Sequence, residues 1–229
     1  MSHSSPFMRQ LLLDLLPEAQ PTLENFVYSD GNAEALAALT RWFAEEEGEC
    51  CFFLWGECGA GKTHLLKASG FFYHDAVMDA DLRMLADSTA GRKAFAIDHA
   101  ETLSEAGQQA LFNVFNRLRD SGGKLLAAAR SAPARLVTTR EDLRTRLGSG
   151  WIYRLVPLSD AEKADTLRRQ AARRAMPLPR DAIDYLLEHA PRDMRTLSAL
   201  VVALDHYALE AKRPVTLPLL RTLLRRELA

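Results

Sequence analysis

Eight residues, Gly56-Glu57-Cys58-Gly59-Ala60-Gly61-Lys62-Thr63, restrict what this chain can fold into more than any other stretch, because they match G-x4-G-K-[ST] without a mismatch. The flanks agree with the motif. Cys50 to Trp55 (CCFFLW) is a short continuous apolar run, the pattern of a buried strand, and Thr63 to Ser69 has the composition of the first turns of a helix. In a strand, loop and helix of this kind, the glycines let successive backbone N–H groups turn inward around a polyphosphate, and the helix presents its positive end to it. Lys62 adds a mobile charge for the outer phosphates, and Thr63 offers its hydroxyl to Mg2+. Gly56, Gly59, Ala60, Gly61, Lys62, Thr63 and His64 are therefore the expected contacts of a nucleotide.

Composition matters here for what it excludes. With 229 residues, 48% of them hydrophobic and 26% charged, the chain has enough material for one cored domain, or one domain and a smaller appendage. Its 29 basic and 30 acidic side chains leave a formal net charge of −1. A contact with duplex DNA is therefore expected to be local or borrowed from a partner. Of the three cysteines, Cys50 and Cys51 are adjacent in an apolar run and Cys58 lies in the glycine-rich loop. That is neither a disulfide framework nor a zinc spacing, and it suits a reducing cytoplasm. No run approaches 18 apolar residues, and the N-terminus lacks a secretory cleavage site, so a soluble protein without membrane contact is expected.

The N-terminal segment 1–21 reads as a tail, with Met1 or Met8 as the start. Gln10-Leu11-Leu12-Leu13-Asp14-Leu15-Leu16 is too short to stand as an independent helix and is followed by Pro17 and Pro21. It is either tucked into a groove of this chain or offered to another protein. Gln10, Leu13 and Leu15 follow the spacing of the peptide by which bacterial proteins dock on the replication sliding clamp, with Leu11 and Leu16 beside them. Next, Leu36, Leu39 and Phe43 predict one apolar helix face, entered at Gly31-Asn32. Asp75 to Asp79 is a weak strand candidate, and Leu82 to Ala86 a short helix.

Lys93 to Asp98 is an apolar run that delivers one carboxylate at its end. In a parallel sheet, ligands gather at the carboxyl ends of the strands, so Asp98 is expected beside Thr63, holding Mg2+ or its water. The next position, where a second carboxylate would activate water, is His99, and Glu101 lies beyond the simple spacing; fast intrinsic hydrolysis is not expected. Glu105 to Ser121 predicts a helix with Ala106, Ala110, Leu111, Val114, Phe115 and Leu118 on one stripe, stopped by Gly122-Gly123. Lys124 to Ala129 and Trp151 to Val156 predict two further strands. Arg130 is the nearest candidate for a phosphate sensor, although a plain surface arginine fits as well. After Pro157 the pattern becomes helical throughout: Ala161 to Ala175, Arg180 to His189, Asp193 to Ala211 and Leu217 to Leu228. The expected architecture is an α/β three-layer domain with a parallel sheet over residues 22–157, then a small all-α domain over 158–229.

Taken in order, TLENFV, GECGAGKTHLL, AIDHAE, LRTRLGSGW, VPLSDAEK and PRDMRTL resemble the DnaA-like AAA+ ATPases, and within them the regulatory inactivators of the replication initiator DnaA. The resemblance runs from Gln10 nearly to the end, and the chain stops at Ala229, where a DNA-reading domain would follow in the initiator itself. It implies that Phe26 and Val27 border the adenine, that Lys62, Thr63 and Asp98 serve phosphates and Mg2+, and that Arg195 is a sensor on the helical lid. Arg146 takes the position of the family's arginine finger. The function implied is negative regulation of replication initiation. Moored by its N-terminal peptide to a sliding clamp on DNA, the protein would insert Arg146 into the ATP site of DnaA and trigger hydrolysis there. It would keep ADP or ATP in its own site, and a homodimer is left open. A helicase-loader-like ATPase, working as a homo-oligomer on single-stranded DNA, is the competing reading on the same fold.

Overall fold

A computed structural model describes residues 20–45, 48–88, 91–136 and 140–228. The leucine-rich segment with Gln10, Leu11, Leu13, Leu15 and Leu16 lies outside the described residues. The chain divides into two compact units between Pro157 and Leu158.

The first unit is built on five parallel strands: β1 Cys51–Trp55, β2 Phe72–Asp75, β3 Ala94–Asp98, β4 Lys124–Ala129 and β5 Trp151–Arg154, in the order β2-β3-β4-β1-β5. Successive side chains of a strand point to opposite faces, and here both faces are covered. Phe52, Leu54, Ala96, Leu126 and Ala128 pack under α1 (Asp30–Ala44) and α2 (Lys62–Ala68). Cys51, Phe53, Phe95, Ile97, Leu125 and Ala127 pack under α3 (Arg83–Ser88), α4 (Glu105–Ser121) and α5 (Glu141–Leu147). That double cover is why the central strands read as unbroken apolar runs.

Three local expectations need correction. The second strand is Phe72–Asp75, not 75–79: the aromatic run ahead of Asp75 takes the extended form, and Asp75 ends it. The Asp75 carboxylate accepts from the Val77 N–H at 3.0 Å and its carbonyl accepts from Met78 N–H at 3.0 Å, which turns the chain and leaves Val77 and Met78 exposed. In α1 the buried stripe is Asn32, Ala35, Ala38, Leu39 and Trp42, with Leu36 and Phe43 at its margins. In α4 the stripe begins with Gly107 and Gln108, and Ala106 is exposed. A Cβ on Gly107 would lie 2.0 Å from the Ala80 carbonyl oxygen, so the helix approaches that loop only because the side chain is missing. Gln108 is buried because it is paired, donating to the Leu103 carbonyl and accepting from the Arg140 N–H.

The second unit is four helices around one apolar core: α6 Asp160–Arg173, α7 Arg180–His189, α8 Met194–Ala211 and α9 Leu217–Leu228. Ser159 and Glu162 cap α6 reciprocally, and Asp193 caps α8 by accepting from the Thr196 N–H. Leu167, Ile183, Leu186, Leu200, Leu204 and Leu220 are fully buried between them. Among the described residues no helix is long and apolar enough to cross a membrane.

One polar residue ties the start of α1 to the exit of β5. Buried Asn32 donates through Nδ2 to the Val156 carbonyl and accepts through Oδ1 from the Val156 N–H, each at 2.8 Å. Asn32→Ala is expected to destabilise the first unit by about 1–3 kcal/mol. All three tryptophans, Trp42, Trp55 and Trp151, lie in this unit, so urea unfolding followed by tryptophan fluorescence reads that unit alone; an unchanged midpoint would contradict the assignment.

Candidate nucleotide-binding site

The glycine-rich loop leaves the carboxyl end of β1 and enters α2 through Gly61, whose φ of 94° is in the left-handed region. A Cβ there would sit 2.5 Å from Cε2 of Phe26, so only glycine lets the ring close over the loop. Phe26 is buried, Val27 is half-buried, and the segment carrying them is pinned to α2 by His64. The His64 ring lies 5.3 Å from that of Phe26, and its Nε2 is 2.9 Å from the Thr22 carbonyl oxygen. His64 thus spends one ring nitrogen on holding the strap that carries Phe26 and Val27. Lys62 lies under the loop, donating from Nζ to the carbonyls of Gly56 at 2.7 Å and Glu57 at 2.9 Å. Burial pulls its ammonium below the ordinary lysine value, and the Asp98 and Glu101 carboxylates oppose that shift.

Parallel pairing sets the other half of the site. β3 ends beside the loop, and Asp98 is completely buried there. Its Oδ2 accepts from Thr63 Oγ1 at 2.6 Å and from the Tyr73 hydroxyl at 3.2 Å, and its Oδ1 accepts from the His99 N–H at 2.9 Å. Three donors make a buried carboxylate tolerable. Burial, followed by the Asp98 and Asp75 charges, drives the Tyr73 phenol upward, so it remains a donor to Asp98. Thr63 and Asp98 together offer hard oxygen ligands. No three His, Cys, Asp or Glu side chains converge as a metal cage among the described residues. That donor set fits Mg2+, which keeps several waters and completes its shell with phosphate oxygens.

Two participants escaped the sequence reading. Tyr73 gave no signal, because a tyrosine in a strand is ordinary. Glu101 was set aside on spacing, yet from the 3-10 turn Ala100–Thr102 its carboxylate faces Arg130, at the end of β4, and its charge supports the Lys62 ammonium. Arg130, the candidate sensor, is largely exposed, with Nε 3.6 Å from Glu101 Oε1. Arg195 lies in the second unit, exposed in the first turn of α8.

Arg146 is at the other end of the sheet. α5 is anchored by buried Leu143 and Leu147, which leaves Arg144 and Arg146 half-buried along its side, and neither pairs with a carboxylate among the described residues. Arg146 lines an open cavity of about 230 Å³ with Gly48, Arg119, Gly123 and Ser149, and its guanidinium is 6.0 Å from the centre of the Phe115 ring. Gly48 precedes β1 and Gly123 precedes β4, so this cavity is at the amino ends of the strands that carry the phosphate loop at their carboxyl ends. A strand of this length spans roughly 17–20 Å, beyond the reach of one arginine. Arg146 cannot serve the loop of its own chain.

The comparisons with known proteins agree on the fold. Residues 18–88 match the family described as the bacterial DnaA ATPase domain, and residues 160–224 match the family described as Hda, lid domain. Domain III of the Thermotoga maritima replication initiation protein DnaA is similar at 24% identity and a TM-score of 0.70, over 90% of this chain and 95% of that one. DnaA from Aquifex aeolicus, in a structure bound to AMPPCP, is similar at 23% identity and a TM-score of 0.66, over 86% and 68% of the two chains. A point mutant of RuvB from Thermotoga maritima gives 17% and 0.63, over 88% and 70%. At these identities the structures speak for the fold: an α/β AAA+ domain with a parallel sheet and a helical lid. The two family matches agree with that fold: the first part of the chain is similar to the bacterial DnaA ATPase domain and the last part to the Hda lid domain.

The cysteines give a direct probe of the loop. Cys58 is exposed, Cys51 is fully buried, and burial pushes the half-buried Cys50 thiol up to about 11. Since thiolates are the reactive form, a thiol reagent near neutral pH should modify Cys58 well ahead of the other two, and ATP with Mg2+ should slow that reaction. Equal reaction at all three would contradict the burial, and a rate indifferent to ATP would contradict nucleotide in the loop.

Proposed function

We propose that this protein is a negative regulator of replication initiation that holds a nucleotide in its own site and completes the ATP site of a DnaA molecule with Arg146. The observation that carries the reading is the separation just described: an arginine without a carboxylate partner among the described residues, facing an open cavity a strand's length from its own phosphate loop. An arginine so placed is available to a neighbouring molecule. The Hda-type lid and the DnaA-type ATPase match support DnaA as that neighbour.

In this reading the loop from Gly56 through Thr63 cradles the phosphates of ADP or ATP with its N–H groups and Lys62. Thr63 and Asp98 would hold Mg2+, which neutralises phosphate charge. Phe26 and Val27 close the base side, kept there by His64. The resident nucleotide would keep the domain in the form that docks on DnaA. In the partner's site, the Arg146 guanidinium donates to oxygens of the terminal phosphate as negative charge builds there, an effect worth roughly 10³ to 10⁵ in rate for such arginines. The segment with Gln10, Leu11, Leu13, Leu15 and Leu16 would moor the protein to the polymerase III sliding clamp, so that duplex DNA is met through the clamp. Tethering raises the local concentration of Arg146 near DnaA without any new contact to DnaA. A helicase-loader-like role would instead turn Arg146 toward a second copy of this chain.

Arg146→Ala is expected to lower the hydrolysis of DnaA-bound ATP by about 10³-fold or more while leaving this chain's own nucleotide affinity unchanged. Labelled ATP on DnaA, followed over time with clamp-loaded DNA present, checks this; unaltered hydrolysis would remove Arg146 from the account. Replacing Gln10 and Leu13 together by alanine is expected to abolish capture on immobilised clamp with the melting temperature unchanged. Retained capture would refute the mooring segment.

A further inference from the structure

Among the described residues, the Glu101 carboxylate is the charged group whose buried oxygens accept no hydrogen bond. Both of its oxygens are closed off from solvent, and neither has a hydrogen-bond partner among the described residues. The Arg130 Nε at 3.6 Å from Oε1 is too far for a hydrogen bond. A buried carboxylate that accepts no hydrogen bond, with only the charge of a largely exposed arginine beside it, is costly, and a donor brought by a ligand would relieve it. Its position narrows the ligand. Glu101 follows the carboxyl end of β3 in a turn fixed on several sides: His99 has a left-handed φ of 54°, its N–H donates to Asp98 Oδ1, its Nδ1 lies 2.9 Å from Asp75 Oδ1, and its carbonyl accepts from Thr102 Oγ1. Arg130, which Glu101 faces at 3.6 Å, directly follows the carboxyl end of β4, and β4 ends beside β1, so the carboxylate stands at the same end of the sheet as the phosphate loop, where its charge supports that of Lys62.

We propose that Glu101 accepts a hydrogen bond from the water that attacks the terminal phosphate of ATP held in this chain's own loop, the task of a carboxylate directly after Asp98, where this chain has His99. The inference rests on the reading of that loop as an ATP site. The water oxygen forms a bond to the γ-phosphorus as the bond from that phosphorus to the β-phosphate bridging oxygen breaks. ADP leaves with the bonding electrons, and the water's proton departs with inorganic phosphate. Glu101 fixes the direction of the attacking oxygen, and Lys62 holds the oxygens that gain charge. The chain thereby converts its own ATP to ADP, independently of what Arg146 does elsewhere.

The full-length protein and its Glu101→Gln variant would be loaded with ATP and Mg2+ and followed through a single turnover, alongside ATP affinity, melting temperature and the nucleotide that co-purifies with each. The variant is expected to keep its affinity and to melt close to the parent, because the isosteric amide replaces a carboxylate that accepts no hydrogen bond and whose ion-pair partner, Arg130, is largely exposed. It should convert bound ATP about 10²-fold more slowly and co-purify with ATP where the parent carries ADP. Conversion at the parent's rate, or a parent that never converts bound ATP, would overturn the inference. A loss of affinity or melting temperature that accounts for the slower turnover would make Glu101 structural and overturn it too. If neither protein binds ATP, the reading of the loop has failed and this inference falls with it.

Discussion

Parallel strands have two unlike ends, and everything distinctive in the first unit follows from which residues stand at which end. At the carboxyl ends of β1 and β3, the glycine-rich loop and Asp98 converge, with Thr63 donating to Asp98 at 2.6 Å. At the amino ends of β1 and β4, a cavity opens beside Arg146 and Arg119. The apolar layers on both faces hold the two ends apart rigidly, so the separation does not depend on any loop. One end can hold a nucleotide, while the other presents cations outward.

Charge burial is handled differently at neighbouring positions, and the contrast is informative. Asp98 is fully enclosed and accepts from three donors, so it belongs to the framework that holds Thr63 and the following turn. Lys62 is enclosed and donates to two loop carbonyls while two carboxylates support its charge. Glu101 is enclosed without a donor among the described residues. Of the three, Glu101 alone relies on opposite charge, from Arg130 and Lys62, with its hydrogen-bonding capacity left open.

Much of this was legible in the residues because periodicity and motif agreed. The run KLLAAA became β4 over the expected residues, and α4, α7 and α9 span the expected ranges, since each has a clear turn or proline at its borders. β2 was displaced because Asp75 to Asp79 has apolar residues at the right density, while the side-chain turn made by Asp75 is visible only in three dimensions. In α1 the expected Leu39 is buried, but Asn32, Ala35, Ala38 and Trp42 complete the stripe, and Leu36 and Phe43, read as part of it from their spacing, lie at its margin. The carboxylate at Glu101 was discounted by counting residues along the chain. A left-handed His99 and a 3-10 turn bring it to 3.6 Å from Arg130 at the end of β4, and no linear spacing rule encodes that path. The nearness of Arg146 to Arg119 was likewise invisible, because it depends on how α4 and α5 pack side by side under the sheet.

The most direct test of the account asks which end of the sheet meets DnaA. A benzophenone amino acid placed at position 146, or in a second variant at position 58, would be photolysed in the assembly with ATP-bound DnaA and clamp-loaded DNA, and the captured DnaA peptides mapped by mass spectrometry. Capture from position 146 of DnaA residues lining its ATP phosphates, with none captured from position 58, is the predicted result. Capture of those residues from position 58, or their absence from the products of position 146, would contradict the claim that the amino-terminal end of this sheet completes the partner's site.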